Sequence, residues 1–236
     1  MRYLTFFLIF SLKICVAQTF SFPKFVKQGK TLEALTPQNW KIIDTAYGDL
    51  NNDKIEDLAF VLEYFLPVSE NRAYGDNETE LIKEFQKPRV LAIYFKNKQN
   101  GPYVFATQNN NFILRANEGG IMGDPLKNIN IANQNLQLSF QGGNNWRWKL
   151  DYEFKYHNNE WDLIRANNLY YHSVSGEMTE KKYNFLDRKV SFISGNIFKR
   201  NAVDNQTEEI LYFSGLRTFA TFKKPWTWEI TKDNFL

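Results

Sequence analysis

The stretch WRWKLDYEFKYHNNEWDLIR (residues 146–165) decides the fold. Trp146, Trp148, Leu150, Tyr152, Phe154 and Tyr156 alternate with Arg147, Lys149, Asp151, Glu153, Lys155 and His157. A period of two residues sustained this long predicts a strand with one buried face. Asn158 and Asn159 follow, and asparagine tolerates the positive φ that both central residues of a two-residue hairpin turn require. Such a turn sets Tyr156 opposite Trp161, Lys155 opposite Asp162 and Phe154 opposite Leu163. Aromatic then meets aromatic, and cation meets anion, as cross-strand pairing favours. The alternation fails at Arg165, where a bend or bulge is expected.

Working outward, Leu136, Leu138 and Phe140 alternate with Gln137, Ser139 and Gln141, and GGNN (142–145) joins this run to the long strand as an antiparallel neighbour. RVLAIYF (89–95) and YVFAT (103–107) flank the turn-rich KNKQNG and read as a second hairpin. YNFL (183–186), KVSFIS (189–194), ILYFSG (210–215) and WTWEI (226–230) read as short strands. Helix is confined to TLEAL (31–35) and ETELIKEFQ (78–86). Aromatic residues make up 17% of the chain, which excludes disorder and implies a large aromatic core. The expected fold is mainly β: antiparallel hairpins forming a twisted sheet, sandwich or partial barrel, as one domain over 19–236.

Residues 1–18, MRYLTFFLIFSLKICVAQ, place Arg2 before an apolar run that Lys13 interrupts and small residues close. This reads as a secretory signal peptide, too short in its apolar run for a membrane anchor. It contains the only cysteine, Cys15, so the mature chain has no disulfide, no cysteine nucleophile and no thiolate metal site. Removing Arg2 and Lys13 leaves 27 basic and 26 acidic residues, and no Lys/Arg cluster marks a nucleic-acid surface. The setting is secreted or periplasmic, with no stable membrane span once the leader is gone.

In GDLNNDKIEDLAFVLE (48–63), acids and amides alternate and then give way to an apolar run. A hard cation such as calcium takes about 6–8 oxygen ligands, which a tight loop supplies from alternate residues. Asp49, Asn51 and Asp53 occupy positions 1, 3 and 5, the Ile55 carbonyl position 7 and Asp57 position 9. Lys54 stands at position 6, where such loops favour glycine, and position 12 is Phe60 rather than the glutamate of an EF-hand.

DLNNDKIED resembles the D-x-D/N-x-D-G-x-x-D calcium loop of FG-GAP repeats, found in integrin-type β-propellers, over about twenty residues. The resemblance implies side-chain ligation by Asp49, Asn51, Asp53 and Asp57, carbonyl ligation by Ile55, and Ca2+ as a structural ion. The order of W-x-I-I (40–43), the 48–57 loop, GGIMGDP (119–125), GGNNWRW (142–148) and EWDLI (160–164) also resembles a group of uncharacterised secreted or periplasmic bacterial proteins. A complete propeller is not expected, because no blade-length repeat runs along the chain.

EGGIMGDP (118–125) and GGNNWRW (142–148) set flexible backbone beside Glu118, Asp124, Arg147 and two tryptophans, a composition suited to a sugar or peptide ligand. The same alternation points Trp146 and Trp148 inward and gives the glycines to turns and bulges. His157 and His172 belong to no metal-like cluster, and HSVSG (172–176) lacks the first glycine of a nucleophile elbow. The reading is therefore a non-enzymatic binding or interaction protein stabilised by one calcium, with a protein or glycan partner. The alternatives are a cell-envelope hydrolase built on a carboxylate pair, or a secreted inhibitor or immunity-type protein.

Overall fold

The computed structural model describes residues 20–72, 82–221, 224–231 and 234–236. The signal-like segment 1–18 and residues 78–81 of the helical expectation at 78–86 lie outside the described residues. In chain order, β1 (Gln28–Gly29) and a single helical turn α1 (Leu32–Leu35) precede β2 (Trp40–Gly48) and β3 (Asp57–Tyr64). Thr31 caps α1, its hydroxyl accepting the Ala34 N–H at 3.3 Å. A short hairpin follows, β4 (Val68–Arg72) with β5 (Ile82–Gln86), then β6 (Arg89–Lys96) and β7 (Tyr103–Asn109).

Five strands form an antiparallel sheet in the order β1-β7-β6-β3-β2. β3 and β6 sit at its centre with both faces covered, so their sequences read as apolar runs without alternation.

The second half contains β8 (Leu126–Ala132), β9 (Asn135–Gly143), β10 (Trp146–His157), β11 (Glu160–His172), β12 (Glu177–Asn184), β13 (Lys189–Asn196) and β14 (Val203–Ile210). These pair in sequence order as a seven-stranded meander that curls into a half-barrel. The predicted register of the β10–β11 hairpin holds: Tyr156 faces Trp161, Lys155 faces Asp162 and Phe154 faces Leu163. Asn158 and Asn159 have φ of 50° and 64°. The irregularity lies beside Arg165, which pairs with Glu153 while Phe154 pairs with Leu163, so Ile164 is the extra residue of a bulge. The last pieces are β15 (Glu229–Thr231) and β16 (Asn234–Phe235).

Three local expectations are corrected. Residues 82–86 are a strand rather than a helix: a nine-residue helix is marginal in isolation, whereas β4 offers a backbone partner at every position. The final strand of the meander is the polar β14, exposed along its whole length, rather than ILYFSG. An edge strand with neither face buried carries no apolar period to read; after it the chain leaves the sheet and Leu211 enters the core. Trp146 is half-exposed against His172, and only Trp148 packs inward, 4.7 Å from Trp226.

The two sheets sandwich the main core, with Ala59, Val61, Leu91 and Ile93 on one side and Leu138, Phe140, Tyr152 and Phe154 on the other. The opposite face of the first sheet is covered by the N-terminal segment through Phe20, Phe22, Phe25 and Leu32. Among the described residues no helix is long and apolar enough to cross a membrane.

Between the sheets the first part of the connector 110–125 enters the interior, with Phe112, Ile113 and Leu114 fully buried, before the chain returns to the surface at 120–124. Two guanidiniums, each 1% exposed, hold it. Arg89 donates to Glu63 at 2.7 and 3.0 Å, to the Leu114 carbonyl at 2.9 Å and to Asp124. Arg115 donates to Glu70 at 2.9 and 3.0 Å and to the Ile113 carbonyl at 2.7 Å. Burial alone would raise the Glu63 carboxyl, but hydrogen bonds and charge from Arg89 and Lys41 more than offset this and hold it below the usual range. Asp124 is lowered in the same way, burial opposed by Arg89.

Two outcomes follow. Arg89→Met leaves the buried Glu63 carboxylate with Lys41 alone and the Leu114 carbonyl without its donor, and is expected to lower stability by about 3–5 kcal/mol in urea denaturation. Because both carboxyls have depressed native values, their contribution is complete above pH 4.5, the ordinary glutamate value, and is lost as pH falls through the depressed ones. Wild-type melting temperature should therefore drop on acidification below that point, with a shallower drop in Arg89→Met.

Candidate metal loop and the turns around it

The 49–57 loop links β2 to β3, with Gly48 paired to Asp57 across its base. Its polar side chains fold back onto its own backbone. Asp49 accepts the Asp53 N–H at 3.2 Å and the Lys54 N–H at 3.0 Å. Asn51 Oδ1 accepts the Asp53 N–H at 3.1 Å, and Asp53 Oδ1 accepts the Ile55 N–H at 2.8 Å. Lys54 has φ 66° and Asn52 φ 64°. The chain thus makes the left-handed turn that a glycine at position 6 would make without Cβ strain.

Asp57 differs from the other acids because it is fully buried. Its oxygens accept the Leu50 N–H at 2.8 Å and the Lys96 N–H at 2.9 Å, tying the loop to itself and to β6. No cationic side chain among the described residues pairs with it. Burial pushes its carboxyl up to about 6, the two backbone N–H groups pull the other way, and Asp53 and Asp49 add like charge.

This donor set fits a hard cation in kind: three carboxylates and an amide oxygen on one loop, one carboxylate interior and without a counterion. As the side chains stand, no group of three or more His, Cys, Asp or Glu among the described residues is gathered as a metal site would be. Holding an ion requires Asp49, Asn51 and Asp53 to exchange backbone hydrogen bonds for ligation.

The other sequence candidates fall elsewhere. The two glycine loops do meet: Gly120 bridges Gly143, and the Ile121 N–H donates to Asn144 Oδ1 at 3.2 Å. Gly142 is required by close approach, since a Cβ there would lie 2.4 Å from the Trp148 ring and 2.8 Å from Gly119 Cα. Asp124 is a counterion of Arg89, however, and Glu118 pairs with the buried Lys224 at 2.5 Å. Arg147 is half-buried on β10, with its Nε out of solvent. His172 Nδ1 lies 3.0 Å from Ser175 Oγ within a single turn.

A groove of about 470 Å3 lies on the face of the second sheet turned away from the core. Its acids are matched to cations, Asp151 to Lys149 at 3.3 Å and Glu153 to Arg165 at 3.1 Å. Sequence reading missed a second concavity, about 400 Å3, where the 49–57 loop meets the β8–β9 and β10–β11 turns. The signal was present: all three turns are rich in Asn and Gln. Only their meeting in space was hidden.

Comparison of the chain with protein-family models, with curated proteins and with solved structures returned no match.

Lys54→Gly removes a Cβ from a φ of 66° without touching a ligand position. It is expected to raise stability by about 0.5–1 kcal/mol in urea denaturation without calcium, the left-handed strain outweighing the entropy of glycine.

Proposed function

We propose that the protein is a non-enzymatic binding module of the bacterial cell envelope, stapled by one calcium ion in the 49–57 loop. The observation that carries the staple is Asp57: a fully buried carboxylate beside two further aspartates, with no cationic side chain to balance it among the described residues. A buried charge without a partner is costly, and a divalent cation held by Asp49, Asn51, Asp53, the Ile55 carbonyl and Asp57 removes that cost. The FG-GAP-like spacing supports the same assignment. The secretory reading of residues 1–18 supplies the envelope setting, where calcium is available and a chain without mature cysteines has no disulfide to stabilise it.

Binding is favoured over hydrolysis by the state of the exposed and ion-paired carboxylates; Asp57, raised by burial and by neighbouring Asp53 and Asp49, is fully buried with its oxygens on backbone N–H groups. An acid–base pair needs one carboxyl held protonated and its neighbour ionised. Glu63 and Asp124, which share Arg89, are instead both pulled down and ionised together. The acids of the large groove are each neutralised by a cation.

Thermal unfolding of the mature protein in calcium and in EDTA tests the staple. Calcium at 100 times its dissociation constant should add about 2.7 kcal/mol, seen as a higher melting temperature, and Asp53→Ala should abolish the difference. Equal melting temperatures for the wild type in the two media overturn it.

A further inference from the structure

One end of the sandwich gathers three turns: the 49–57 loop, the Asn133–Gln134 turn between β8 and β9, and the Asn158–Asn159 turn between β10 and β11. Together they line the cleft of about 400 Å3. A second hollow of about 330 Å3, walled by Phe95 and Trp161, adjoins it across Tyr156 and Asn159. Both are of ligand-binding size.

The backbone at these turns is unusual. Asn52, Asn133, Gln134, Asn158 and Asn159 have φ of 64°, 52°, 64°, 50° and 64°. Glycine adopts this conformation freely, asparagine tolerates it, and glutamine gains nothing there. The chain therefore holds amide side chains in positions that glycine would fill with less strain, and such strain collects at functional sites. Gln134 Nε2 donates to Asn52 Oδ1 at 2.8 Å, and the Tyr156 hydroxyl donates to Asn159 Oδ1 at 3.0 Å. These bonds hold Asn52, Gln134 and Asn159, and among the described residues Asn52 Nδ2, Gln134 Oε1, Asn159 Nδ2 and the Asn158 amide have no further partner and are open to a ligand. The half-buried Tyr156 ring packs against Phe95 and Trp161, with ring centroids 4.9 and 5.0 Å away.

An amide presents a donor and an acceptor side by side, the complement of a hydroxyl, which is both at once. A fixed aromatic ring offers an apolar surface beside them. Lys155 and His157 also line the cleft, but Lys155 faces Asp162 across the hairpin, so the surface does not select an anion. We propose that this cleft binds a neutral saccharide, its hydroxyls on the amides of Asn52, Gln134, Asn158 and Asn159 and its C–H face on Tyr156. The assignment rests on the binding-module reading and names its ligand class.

The test is affinity electrophoresis of the mature protein in calcium, through gels containing soluble β-glucan, α-glucan, xylan or galactomannan, with pectate as the acidic comparator. The variant is Asn158→Gly/Asn159→Gly, which keeps the left-handed turn and removes two amides; its melting temperature is expected to match the wild type. Retardation in at least one neutral gel, weakened tenfold or more in the variant, supports the site. No retardation in any neutral gel, equal retardation of wild type and variant, or retardation by pectate alone overturns it. Reducing sugar released from a retained polysaccharide supports the site and overturns the non-enzymatic reading. Retention without a calcium-dependent melting shift supports the site and overturns the staple.

Discussion

The architecture depends on how a chain can cross its own core. Residues 112–115 of the connector are buried against a core shared by the two sheets, and the Ile113 and Leu114 carbonyls there accept from arginine side chains rather than from a strand. Backbone in that position is unstable unless donors are brought to it. Arg89 and Arg115 bring them, each spending part of its fork on a connector carbonyl and the rest on a carboxylate. Because those carboxylates sit on β3 and β4, the same contacts lock the connector to the first sheet and to the β4–β5 hairpin. Lys224 extends the arrangement by pairing the C-terminal segment with Glu118.

This also explains which parts of the structure the sequence reveals. The β10–β11 hairpin was legible down to its register because everything that specifies it is local: alternation, two asparagines that accept positive φ, and complementary pairs at the first three rungs. The central strands β3 and β6 were legible as apolar runs. β14 was not, since an edge strand with both faces wet has no period, and the 82–86 segment was not, since its helical composition is overruled by a partner strand 10 to 18 residues away. Glu118 and Asp124 invited a functional reading because acids beside glycines resemble a binding loop. Their cations, Lys224 and Arg89, are 106 and 35 residues distant, and no local pattern announces such a pair.

The 48–63 stretch divides at Asp57. The residues before it form a turn held by its own side chains, and those after it form a strand buried on both faces. Asp57 belongs to both halves, capping the Leu50 N–H within the loop and the Lys96 N–H at the far end of β6. The loop is thereby fixed to the sheet whether or not an ion is present. That is why a lysine can occupy its sharpest position, with the strain carried by the surrounding structure.

The two ends of the strands are consequently specialised. At the Glu63 end of β3 the polar residues are consumed by the buried ion pairs that close the core, and their geometry leaves no room for exchange. At the Asp57 end the turns carry amides, of which Asn52, Gln134 and Asn159 are held by single hydrogen bonds. Gln134 reaches from the second sheet to Asn52 on the loop of the first, so whatever steadies the 49–57 loop also steadies the cleft wall. An ion in that loop would act on ligand binding through position alone, by restricting Asn52, and would contribute no charge to a neutral ligand's recognition.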